Sequence, residues 1–130
     1  MRTKILLTSS AIFMAVLGML STFMPQEILE YYGSYREGEK FVVPAVQIAG
    51  ALYLGFAILN WTARASLIGG IYNRPIALGN FLHFAMIALV LLKELKSNHG
   101  VEIVAGALIY SAFAVWFGLV LFARARQTGK

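Results

Sequence analysis

Four stretches of this chain contain no aspartate, glutamate, lysine or arginine: residues 5–24, 41–63, 76–92 and 103–123. An α-helix rises about 1.5 Å per residue, so runs of this length cross, or nearly cross, a hydrocarbon core about 30 Å thick. The third run, at 17 residues, lies at the lower limit. Inside a bilayer, backbone N–H and C=O groups have no water to bond, which leaves helices as the economical reading. A closed β-barrel needs short alternating segments, and these runs do not alternate. The pattern predicts an all-α protein, an up-down-up-down transmembrane four-helix bundle with spans at about 5–24, 44–63, 76–92 and 103–123. One domain covering residues 1–130 is the expectation at this length.

Composition agrees. The 130 residues are 59% hydrophobic and 13% charged, about half the charge density of an ordinary soluble domain. A net charge of +5 would fit a nucleic-acid partner, but the charges cluster between the apolar runs, as in a membrane protein. There is no cysteine, which removes disulfides, thiolate metal sites and cysteine nucleophiles. Met1-Arg2-Thr3-Lys4 before an apolar run is also how a signal peptide begins. No small-x-small cleavage site stands out near Met24, so the run is read as a retained first span.

Basic residues set the orientation. With the amino terminus inside, the inner segments hold Arg2, Lys4, Arg64, Arg74, Arg124, Arg126 and Lys130, and the outer loops hold Arg36, Lys40, Lys93 and Lys96. Seven against four places both termini in the cytoplasm. Glu27, Glu30, Glu37, Glu39, Glu94 and Glu102 then all fall outside.

The connections carry matching punctuation. Pro25 is expected to end the first span, and Pro44 sits in the first turn of the second. Residues 26–40, with Tyr31, Tyr32, Gly33 and Tyr35, suit an amphipathic segment at the outer interface. Gly69-Gly70 relaxes the chain before Pro75, with Asn73 as a cap for the third span, and residues 93–100 make a short polar hairpin. The segments AGALYLGFA (49–57) and AGALIYSAF (105–113) look alike and hint at duplicated helix pairs, although an Ala/Gly/Leu alphabet produces such matches easily.

Lipid tails are as apolar as leucine, so membrane helices associate through small residues and interhelical hydrogen bonds. The small pairs Ala51/Gly55, Ala107/Ser111 and Ala114/Gly118 are expected to face inward.

Polar residues gather toward one leaflet. Counted from the cytoplasmic end of the third span, Asn80 lies about 6 Å deep and His83 about 10 Å deep, on one helix face. Tyr53, Asn60 and Arg64 of the second span approach the same side, as do Thr8, Ser9 and Ser10 of the first, and Trp116 of the fourth. An ionisable residue inside a span is a site hypothesis by default. The candidate ligand-binding residues are therefore His83, Asn80, Asn60, Tyr53, Arg74, Trp116 and Ser9. The competing reading is structural: His83 and Asn80 bond to Ser9, Ser10 or Tyr53 and fix the register of the bundle. Arg74 either serves the positive-inside rule or holds an anionic headgroup, and Trp61 reads as an interfacial anchor.

Several chemistries are poorly served. Two histidines, one of them (His99) in an outer loop, do not make a haem or metal site. Paired carboxylates are missing from the spans. Ser9 or Ser10 with His83 has no orienting carboxylate at that depth. No phosphate-binding or dinucleotide fingerprint occurs, and a lone histidine is not a proton relay.

The stretches AGALYLGFAILNWTARA (49–65), with spaced glycines and a terminal arginine, and RPIALGNF (74–81) resemble the DoxX-like group of small bacterial four-span membrane proteins. The likeness covers the second and third spans. It implies a bacterial inner-membrane protein, and some members of that group accompany quinone-linked oxidoreductases as membrane subunits. It assigns no catalytic residue here, and the cofactor stays open. The expected function is to bind a small amphipathic molecule, lipid or quinone-like, or to serve as a non-catalytic subunit of a membrane assembly. The expected partners are membrane lipid, such a ligand, and further copies or a larger complex, with no nucleic acid. The alternative is a membrane enzyme or quinone-linked redox subunit that uses His83.

Overall fold

Proline and glycine divide the helices. The computed structural model describes residues 2–33, 40–65 and 74–128. In chain order its helices are α1 (Arg2–Phe23), α2 (Pro25–Tyr31), α3 (Val42–Ala63), α4 (Arg74–Glu94) and α5 (Val101–Thr128). The described residues are thus all-α, and four helices are long and apolar enough to cross a membrane. Pro25, which has no N–H to donate, falls at the first position of α2, so α1 stops at Phe23. Helix α2 buries Pro25 and Leu29 and exposes Gln26, Glu27 and Glu30, about two amphipathic turns. Gly33 follows it at φ 65°, a conformation that costs glycine least. Arg74 and Pro75 open α4 and Lys93 and Glu94 close it, which carries the helix to 21 residues. Before α5, Asn98 Oδ1 accepts the Gly100 N–H at 3.0 Å. The Gly69-Gly70 link, the Asn73 cap, Tyr35 and the side chains of Arg124 and Arg126 lie outside the described residues.

The contacts divide the chain into two compact units: Leu7–Thr62, and Met1–Leu6 with Ala63–Lys130.

In the first unit, α1 and α3 run antiparallel: Ser10 meets Asn60, Gly18 meets Gly50, and the Thr22 carbonyl accepts Gln47 Nε2 at 3.3 Å. The crossing at Gly18 and Gly50 is backbone against backbone. A Cβ on Gly18 would stand 2.9 Å from Leu54 N and 3.0 Å from Gly50 O. One on Gly50 would stand 2.8 Å from Thr22 N and 3.0 Å from Gly18 O, and would also strike Thr22 Oγ1. Backbone atoms do not swing aside, so both positions require glycine.

The inward face of α3 differs from the one expected. Gly50, Ala57 and Asn60 are buried, whereas Ala51 and Gly55 are exposed, and a Cβ on Gly55 would meet open space. Gly55 stands five residues beyond Gly50, about 140° around the helix, so the two cannot share a contact face.

In the second unit, α4 and α5 form an antiparallel hairpin closed by an aromatic seam. Phe84, fully buried, stacks on Phe113 (centroids 4.9 Å) and Phe117 (5.7 Å) and tilts against Tyr110 (5.5 Å). Phe81 meets Phe122 edge-on at 5.8 Å and lies over Gly118, where an added Cβ would come within 3.0 Å of its ring. Ala107 and Ala114 are buried on α5, as is Gly118, and Ser111 is half-buried.

Candidate functional site

Asn60 is the organising polar residue of α3. It is fully buried, and its Nδ2 donates to Ser10 Oγ at 3.1 Å, with Met14 Sδ at 3.9 Å. Ser10, also fully buried, donates its own proton to Leu7 O at 3.1 Å. The hydroxyl therefore accepts from an amide and donates to a backbone carbonyl. A serine held this way has its proton committed to a carbonyl and is not activated by a base. The relay is an interhelical clamp. Ser10 of the first span is bonded to Asn60, and Ser9 and Thr8, next to it in the chain, are half-buried. Tyr53, one face of α3 with Ala57 and Asn60, is half-buried.

On the other unit, Asn80 is fully buried and its Nδ2 donates to Ile76 O at 2.9 Å, one turn back on its own helix. A polar side chain in an apolar span lowers its cost by bonding its own backbone in this way. His83 is half-buried, its ring 5.2 Å from Phe84 and 6.2 Å from Tyr110, with Nε2 buried. Met86, three residues on, is exposed, so His83 lies on the flank of α4, between its buried and exposed sides. Arg74 is exposed at the first position of α4, and Trp116 is half-buried on α5. Ser9, Tyr53 and Asn60 thus belong to the first unit, and Arg74, Asn80, His83 and Trp116 to the second.

The first unit carries a feature that polar residues alone do not reveal. Between the Gly18/Gly50 crossing and the Ser10–Asn60 clamp, α1 and α3 leave an open groove of about 400 Å³. Ala11, Ile12, Ala15 and Val16 line it from α1, and Leu54, Ala57, Ile58 and Trp61 from α3. Small side chains form the recess: Ala11 is 2% exposed and Ala57 5%. Its volume is in the range of small-molecule sites, about 300–1,000 Å³. The available signal was the run of small residues Ala11, Ala15 and Gly18 at three- and four-residue spacing on α1.

No protein-family model matches the chain, and no curated protein or solved structure matches it either.

Proposed function

We propose that this chain is a non-catalytic, multi-pass protein of the bacterial inner membrane that binds a small amphipathic molecule, lipid-like or quinone-like. In this reading the four long helices pass up-down-up-down with both termini in the cytoplasm, in keeping with the basic asymmetry and the DoxX-like resemblance of residues 49–65 and 74–81. The observation that carries it is the apolar groove on the α1–α3 pair, with the indole of Trp61 in its lining. The clamp beneath supports a binding role over a catalytic one, because its protons are already committed. The same reading admits membership of a larger assembly, for which the exposed Ala51/Gly55 stripe on α3 offers a packing surface.

Native mass spectrometry of the protein purified in mild detergent tests the proposal. An amphipathic molecule retained in stoichiometric amount is the expected result, and a protein that sheds everything except detergent contradicts it. The second reading, a redox subunit, is favoured by the half-buried imidazole of His83 beside Tyr110. It requires a visible chromophore in the purified protein that disappears in His83→Leu. A colourless preparation removes it.

A further inference from the structure

Arginine is unevenly placed along this chain. The segments that the proposed orientation puts inside carry Arg2, Arg64, Arg74, Arg124 and Arg126 beside Lys4 and Lys130. The outer connections carry Lys40, Lys93 and Lys96 beside Arg36. Orientation in a membrane needs positive charge and does not distinguish arginine from lysine. Phosphate does distinguish them, because a guanidinium offers it a planar fork of donors and an ammonium only a point charge. An excess of arginine on one side therefore speaks for recognition as well as orientation.

The α4–α5 hairpin gathers three of these arginines at one end. Phe81 lies over Gly118 and meets Phe122. Seven residues back from Phe81 is Arg74, and seven on from Gly118 is position 125, each a step of about 10 Å. Arg74, exposed at the first position of α4, is thus level with the end of α5 that bears Arg124 and Arg126. Helix α5 runs on to Thr128, whereas its apolar span ends at Phe122. Positions 124 and 126 therefore stand about 3 to 6 Å past the span, the depth of lipid headgroups. The carboxylates of the hairpin, Glu94 and Glu102, are at its opposite end, about 30 Å of helix away. Lys4 and Arg64 belong to the same compact unit and add to its charge.

We propose that this end of the hairpin binds the phosphate of an anionic phospholipid, with Arg74, Arg124 and Arg126 as the forked donors. The inference rests on the multi-pass reading above and is independent of the α1–α3 groove. Phosphatidylethanolamine carries the same phosphate, but its ammonium would enter a field of fixed positive charges, so a headgroup without a cation is favoured.

The test offers the full chain, purified in mild detergent, equal amounts of phosphatidylglycerol and phosphatidylethanolamine with matched tails, and reads retention by native mass spectrometry. Phosphatidylglycerol should be retained several-fold over phosphatidylethanolamine. The triple variant Arg74→Lys, Arg124→Lys, Arg126→Lys keeps every charge, and with it the orientation, but removes the forks. Its preference should fall several-fold. Arg74→Lys alone should lose part of the preference should the triple variant fold poorly. Lys93→Arg, at the opposite end, should leave it unchanged. Equal preference in the unmodified protein and both lysine variants would mean diffuse charge attraction and would overturn the arginine site. Displacement of the lipid by excess glycerol phosphate would overturn the lipid assignment in favour of a soluble phosphate. A protein that keeps some other amphipathic molecule yet shows no phosphatidylglycerol preference loses this inference and retains the function proposed above.

Discussion

Asn60 shows how an amide is accommodated in a membrane-length helix. Its Nδ2 needs an acceptor, and Ser10 Oγ provides one because the serine proton is occupied at Leu7 O. Interhelical bonds of this type contribute about 0.6 kcal/mol on average and up to about 2 kcal/mol. Asn60→Ala, Ser10→Ala and the double variant form a cycle that isolates the pair. The expected coupling is about 0.6–2 kcal/mol, read from unfolding in detergent. Strictly additive single losses would show that the two residues act independently. Asn80 offers a contrast, since its donor to Ile76 O is local to α4. The position of both asparagines along their helices was legible in the sequence, because it follows from counting residues. Their partners were not. Serine, tyrosine and backbone carbonyls at one level are chemically equivalent acceptors, and the rotation of α1 that brings Ser10 to Asn60 is not written in their spacing.

At the scale of the helix, burial on α3 follows Gly50, Ala57 and Asn60, and the Ala51/Gly55 stripe points away. A soluble helix advertises its inner face by hydrophobicity, but in a bilayer both faces are apolar and that signal vanishes. Small residues remain as a guide, and α3 has several overlapping stripes of them, so spacing alone could not choose. The spans themselves were plain, because charged residues and prolines bracket them, and α2 was foreshadowed by the amphipathic composition after Pro25. The choice of face is directly testable. Gly50→Ala drives a methyl group against Thr22 N and Gly18 O and should lower the detergent melting temperature markedly, whereas Gly55→Ala enters open space and should leave it unchanged or slightly raised. Equal melting temperatures for the two would refute the crossing.

For the whole molecule, the proposed orientation rests on seven inner basic residues against four outer ones. A reporter active only in the cytoplasm, fused at the carboxyl terminus, should therefore be active. A tag inserted after Gly33 should be reached by a membrane-impermeant reagent from outside. The opposite labelling pattern would invert the topology, and with it the leaflet served by the Trp61 end of the groove.

The two fastenings between α1 and α3 lie eight residues apart on α1, at Ser10 and Gly18, a separation of about 12 Å. Two rods joined at a single level can scissor; joined at two levels, they cannot. In a bilayer thinner than these helices, the pair would then tilt as one body. Bilayer thickness would thereby change the angle of the groove to the membrane and leave its width nearly constant.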